Sequence, residues 1–236
     1  MTISALIHTR QPLRRLGFCL FTVVVVALLV KLGLWQLSRA EEKTLLTSQY
    51  TQRQQQSFTS LQSIPAPFYR VMLSGELLLE HLVWLDNQTY RGRVGYQLHI
   101  PLRTESGTVL VNFGWAKAPQ QRSQLPEIAA QFKSISPAVQ YGGIVTLPSQ
   151  TLLLSGGAEA DLLGRVQQID MTTLSQASGI ALSEYIVQLD ATHPLALQSI
   201  WVPTVMSAQK HYGYALQWFL LAGAVFVLAG FWLRRT

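Results

Sequence analysis

Two long apolar runs lie near the ends of this chain, and a shorter, more broken pattern fills the middle. Residues 16–34 read LGFCLFTVVVVALLVKLGL, with Lys31 as the single charge near the far end. A helix of that length rises about 28 Å, close to the ~30 Å hydrocarbon core of a bilayer. The Lys31 stem can snorkel toward the headgroups from one turn inside. Residues 212–233 read YGYALQWFLLAGAVFVLAGFWL, free of charge, with Tyr212, Tyr214, Trp218 and Trp232 placed as an aromatic belt. Both runs predict membrane-crossing helices. Gly213, Gly223 and Gly230 are not four apart, so the spacing contains no G-x-x-x-G motif and leaves the packing of the two helices open.

After the first run, residues 38–56 are polar and Gln-rich with helical composition. Beyond them the period shortens. Residues 69–78, 82–85, 96–102, 108–115, 139–147 and 184–189 read as short strands. Glu105-Ser106-Gly107 is placed as a hairpin turn between the third and fourth. Residues 122–132 and 170–178 read as short helices, the second stopped by Gly179. Residues 148–165 have no clear period and read as a loop. The predicted fold is a membrane protein with two transmembrane α-helices flanking a mostly antiparallel β (α+β) extracytoplasmic domain, a barrel or a sandwich. Its expected divisions are a tail at 1–15, spans at 16–34 and 212–233, the β-rich domain at 35–211, and a second tail at 234–236.

Charge sharpens this plan. Only 13% of the 236 residues are charged, against about 25% in ordinary soluble domains. All 12 acids lie between Glu41 and Asp190, whereas Arg10, Arg14 and Arg15 precede the first span and Arg234 and Arg235 follow the second. The positive-inside rule then places both termini in the cytoplasm and the domain outside it, as in a multi-pass protein of a bacterial inner membrane. The net charge of +6 thus belongs to membrane flanks, and a nucleic-acid groove is unsupported. The sole cysteine, Cys19, lies inside the first run, which excludes an internal disulfide and a C-x-x-C pair. No small-x-small cleavage site follows the first run, so its helix is expected to be retained.

Candidate chemistry is sparse in the middle. His81, His99 and His193 lack ligand spacing, and no G-x-S-x-G, P-loop or dinucleotide fingerprint occurs. Each reads as a surface or satisfied core histidine. At the second membrane entry, His211 has Tyr214 and Trp218 at i+3 and i+7. Haem or metal ligation is one use for it, but the residues alone favour an interfacial histidine bonded to lipid or a carbonyl. Trp35, Gln36 and Arg39 leave the first helix at the same surface, and Arg39, Lys43 and Lys210 make that rim cationic. An amphiphile with an apolar body and acidic groups suits it. Haem and anionic membrane lipid both qualify.

These segments resemble the Surfeit-locus-one family of cytochrome c oxidase assembly proteins. Its LGxWQLxRxxxK pattern reads LGLWQLSRAEEK here, matching at Leu32, Gly33, Trp35, Gln36, Leu37, Arg39 and Lys43. Its GxxGY…PL and VNRGW segments correspond to residues 92–96, to Pro101 and Leu102, and to VNFGW at 111–115. Its HxxYAxQW pattern is HYGYALQW at 211–218. The resemblance implies a non-enzymatic chaperone of the oxidase's catalytic subunit, acting during haem a insertion, with haem a synthase as a further partner. It implies His211 as the ligand to haem iron, with Trp35, Gln36 and Arg39 as the opposite wall and Tyr214 and Trp218 beside the histidine. Phe113 stands where the family pattern carries arginine. The alternative is a two-span scaffold or ligand-binding protein without haem.

Overall fold

The computed structural model describes residues 10–121, 123–127, 132, 139–149, 164–204 and 206–235, with side chains from 13 onward. They form two compact units, one from Met1–Ser48 with Pro203–Thr236 and one from Gln49–Val202.

Helix α1, Arg10–Arg53, is 44 residues long and continues unbroken through the end of the first apolar run. At ~1.5 Å per residue it spans about 66 Å, twice a hydrocarbon core. Residues 34–53 contain no Gly or Pro and are rich in Leu, Glu, Lys, Gln and Arg, so nothing stops the helix at the polar boundary. Thr22, Thr44 and Thr47 return their hydroxyls to the carbonyls four residues back at 2.8–2.9 Å. Helix α3, Ala208–Arg235, is 28 residues long. Both helices are long and apolar enough to cross a membrane. Leu20, Phe21, Leu28, Leu220, Phe226 and Leu228 all point outward. Such a sheath is unfavourable in water and suited to lipid.

Among the described residues the other unit holds nine strands: β1 Ser57–Phe58, β2 Arg70–Ser74, β3 Glu76–Leu77, β4 Val83–Tyr90, β5 Arg93–Thr104, β6 Gly107–Lys117, β7 Gln140–Thr146, β8 Arg165–Val166 and β9 Leu182–Leu189. They form one sheet in the order β1-β2-β7-β9-β6-β5-β4-β8, with β3 pairing β5. The expectation of a mostly antiparallel sheet is corrected: the sheet is mixed, because β1–β2, β4–β8 and β6–β9 are parallel. Strand β9 slots between β6 and β7 after a long connection through helix α2, Met171–Ser178. Such a crossover is what a parallel neighbour requires.

The expected strand at 69–78 is two strands. It bends at Gly75, where a Cβ would lie 2.1 Å from the Arg103 carbonyl oxygen. Before the bend β2 pairs β7, and after it β3 pairs β5. One bent segment therefore joins both sides of the sheet, closing a barrel of β2/β3, β7, β9, β6 and β5. Alternate residues fill its inside, among them Leu73, Leu98, Ile100, Val111, Tyr141 and Val187. The opposite faces of β6 and β9 place Leu110 and Ile186 against Leu174 of α2.

Local chemistry shapes the remaining elements. The β5–β6 hairpin turns through Glu105 and Ser106 as expected, closed by the Thr104–Gly107 pair. The β4–β5 turn uses Arg91 and Gly92, both with positive φ (48° and 74°). Asp170 caps α2 by accepting from the Thr172 amide at 3.1 Å, and Gly179 ends it in the left-handed region. The expected helix at 122–132 is corrected over 123–127, which form a turn and irregular chain rather than a helix, while 122 and 128–131 lie outside the described residues. Most of the expected loop at 148–165 lies outside them too, and Arg165 already begins β8.

Candidate functional site between the two long helices

Helices α1 and α3 run antiparallel along a seam of small residues. Phe18 meets Trp232 with ring centroids 4.2 Å apart, Gly33 faces Phe219, and Gln36 faces His211. On α3 the buried residues are His211, Ala215, Ala222 and Ala229, with the alanines seven apart. Thr22, Gly33 and Ala40 are buried on α1. A seven-residue repeat keeps one helical stripe facing a partner, and small side chains let the backbones approach. At Gly33 the approach is closest: a Cβ there would fall 2.5 Å from the Phe219 ring.

His211 is 7% exposed at one end of this seam. Its Nδ1–H donates to the Gln36 carboxamide oxygen at 2.7 Å. An oxygen opposite Nδ1 requires the proton there, so Nε2 retains its lone pair. Among the described residues Nε2 has no hydrogen-bond partner. An imidazole whose other nitrogen is held in this way has the hydrogen-bonding pattern of a metal-ligating histidine.

The other candidates group differently. Trp35 is 51% exposed, and the Arg39 guanidinium lies 5.8 Å from its ring centroid. Glu42 engages Arg39 at 2.6 Å and Lys43 at 3.4 Å, so these cations carry an internal counter-ion that the sequence pattern did not single out. Tyr214 is 46% exposed and stands off the buried stripe, while Trp218 is half-buried and Lys210 exposed. The structure thus joins Gln36 to His211. Among the described residues no hydrogen bond, ion pair or ring contact links Trp35 or Arg39 to His211. The alanine seam was also missed, although small residues at a seven-residue interval are visible in the sequence.

In the barrel, Phe113 sits where β6 carries one residue more than β5, between the Leu98–Gly114 and His99–Asn112 pairs. Its ring packs 5.2 Å from Phe132 and 6.3 Å from Tyr141, all three fully buried.

A sequence model of the SURF1 family matches residues 23–223, from within the apolar part of α1 into α3 and across the whole barrel. The chain belongs to the SURF1 family. A SURF1-like protein of Rickettsia felis is 26% identical over 223 residues, covering 89% of this chain and 93% of its own length. One from Rickettsia bellii is 26% identical over 223 residues, covering 89% and 88%. The matched span includes Gly33, Gln36, the buried Phe113 and His211.

Proposed function

We propose that this SURF1-family chain is a two-span, non-enzymatic assembly factor for haem-copper cytochrome c oxidase, holding haem a while the catalytic subunit receives it. The family itself, associated with cytochrome c oxidase assembly, supports the general role. One observation carries the haem reading: buried His211 is fixed through Nδ1 by Gln36 and keeps Nε2 available as a donor. Haem a would bring an iron that accepts an axial imidazole, together with acidic propionates. Trp35, Tyr214 and Trp218 would offer ring faces to its macrocycle, and Arg39 or Lys210 would meet a propionate. Arg39 would exchange its Glu42 contact to do so.

In this reading both termini lie in the cytoplasm of a bacterial cell, the barrel lies outside the inner membrane, and haem a synthase supplies the haem. Reporter fusions at each terminus and within the barrel test that orientation, and an active periplasmic reporter at either terminus overturns it. The central experiment is an absorption spectrum of the detergent-purified protein, co-produced with the haem a pathway, beside His211→Ala. A haem a spectrum in the wild type, lost in the variant, is expected. A folded, colourless wild type under abundant haem a would instead favour a scaffold that holds the oxidase subunit alone.

A further inference from the structure

We infer that Gln36 is a positioning residue that selects the tautomer of His211 and so sets the strength of its Nε2 as an iron donor. This rests on the haem reading above. The seam around the pair is apolar and small, lined by Gly33, Ala40 and Ala215, so water has little access to the imidazole. In that setting the one hydrogen bond to His211 decides where its single proton resides. A free imidazole in water prefers the proton on Nε2, which would block ligation by that nitrogen. The Gln36 oxygen, 2.7 Å from Nδ1, imposes the opposite choice. It also draws the Nδ1 proton outward, raising electron density at Nε2 and favouring the ferric over the ferrous state. The neighbouring side chains on α1 cannot substitute: Trp35 is exposed and Leu37 is apolar.

The first test needs no haem. The full chain, labelled with ¹⁵N-histidine and held in detergent at neutral pH, reports which ring nitrogen of His211 carries the proton. The wild type is expected to show Nδ1 protonated, and Gln36→Met to lose that preference. A wild type protonated at Nε2 overturns the inference. The second test uses protein loaded with haem a. Gln36→Met is expected to weaken binding about 10- to 100-fold, the usual effect of losing such a partner, and to raise the midpoint potential of what remains. Gln36→Glu, a stronger acceptor, is expected to restore binding and lower the potential below wild type. If Gln36 only ties the helices together, potentials of the folded wild type, Met and Glu forms will coincide, which also overturns the inference. A wild type with Nδ1 protonated that takes up no haem a removes the iron-donor role through failure of the haem reading, an outcome distinct from a wrong tautomer.

Discussion

His99 and His211 are both buried, yet their surroundings differ. His99 lies on β5, 2% exposed, with Nδ1 3.3 Å from the Gln97 carbonyl oxygen. Burial lowers its pKa from 6.5 to about 4, only partly offset by that backbone contact. Its neighbours across the sheet are polar too: Asn112 donates to Gln188 at 2.8 Å, and Gln188 to Thr146 at 2.9 Å. A histidine with a lowered folded pKa contributes its full stability above the unfolded value. Below it, the unfolded chain binds a proton that the folded chain refuses, so stability falls between pH 6.5 and about 4. His99 alone should therefore cost about 2 kcal/mol between pH 7 and pH 5. Urea melts of the full chain at those two pH values, followed by tryptophan fluorescence, should show the loss. In His99→Gln the pH slope should shrink by that amount, even though the variant starts less stable. From sequence alone His81, His99 and His193 read alike, because depth beneath a sheet is not a local property.

At the scale of elements, the helix pair depends on the fit of Gly33 against Phe219. A leucine at 33 would place carbon inside the ring's space, where even the Cβ stands 2.5 Å away. Relief requires either rotation of Phe219 or separation of α1 from α3, an overpacking cost of about 1–3 kcal/mol. Gly33→Leu should lower the thermal midpoint of the detergent-solubilised protein, and Phe219→Ala should recover part of the loss when combined with it. A double-mutant cycle measures that coupling, and additive effects would show that the two residues do not meet. The same separation would pull Gln36 from His211, so under the haem reading proposed above any haem uptake should fall in Gly33→Leu and partly return in the double variant. The apolar runs and their helical state were legible because length and composition suffice for them. Their pairing was not, since alanines at 215, 222 and 229 are equally compatible with facing lipid.

For the whole molecule, closure of the barrel depends on close backbone contacts that glycine permits. At Gly143 on β7, a Cβ would sit 2.4 Å from the Gln188 carbonyl oxygen and 2.7 Å from a Val187 methyl of β9. The first of these is backbone, which cannot swing aside as a side-chain tip can. Gly143→Ala should thus disturb the β7–β9 ladder and destabilise the barrel by about 1–3 kcal/mol. Limited proteolysis and denaturant melts would detect it. Unchanged resistance in both assays would mean that this contact is looser than the geometry shows.

Sequence by itself determined the features set by composition and short-range period. These are the two long helices, most strand positions, the Glu105–Ser106 hairpin, the end of α2 at Gly179 and the resemblance to the SURF1 family. Each depends on residues within a few positions of one another, or on a run long enough to match a bilayer. Tertiary structure decided the rest. Which strands lie parallel depends on where β9 enters the sheet, and the split at Gly75 depends on Arg103, a residue distant in sequence. The pairing of Gln36 with His211 spans 175 positions. No local pattern encodes such a contact, because it exists only once two helices have chosen the faces they turn toward each other.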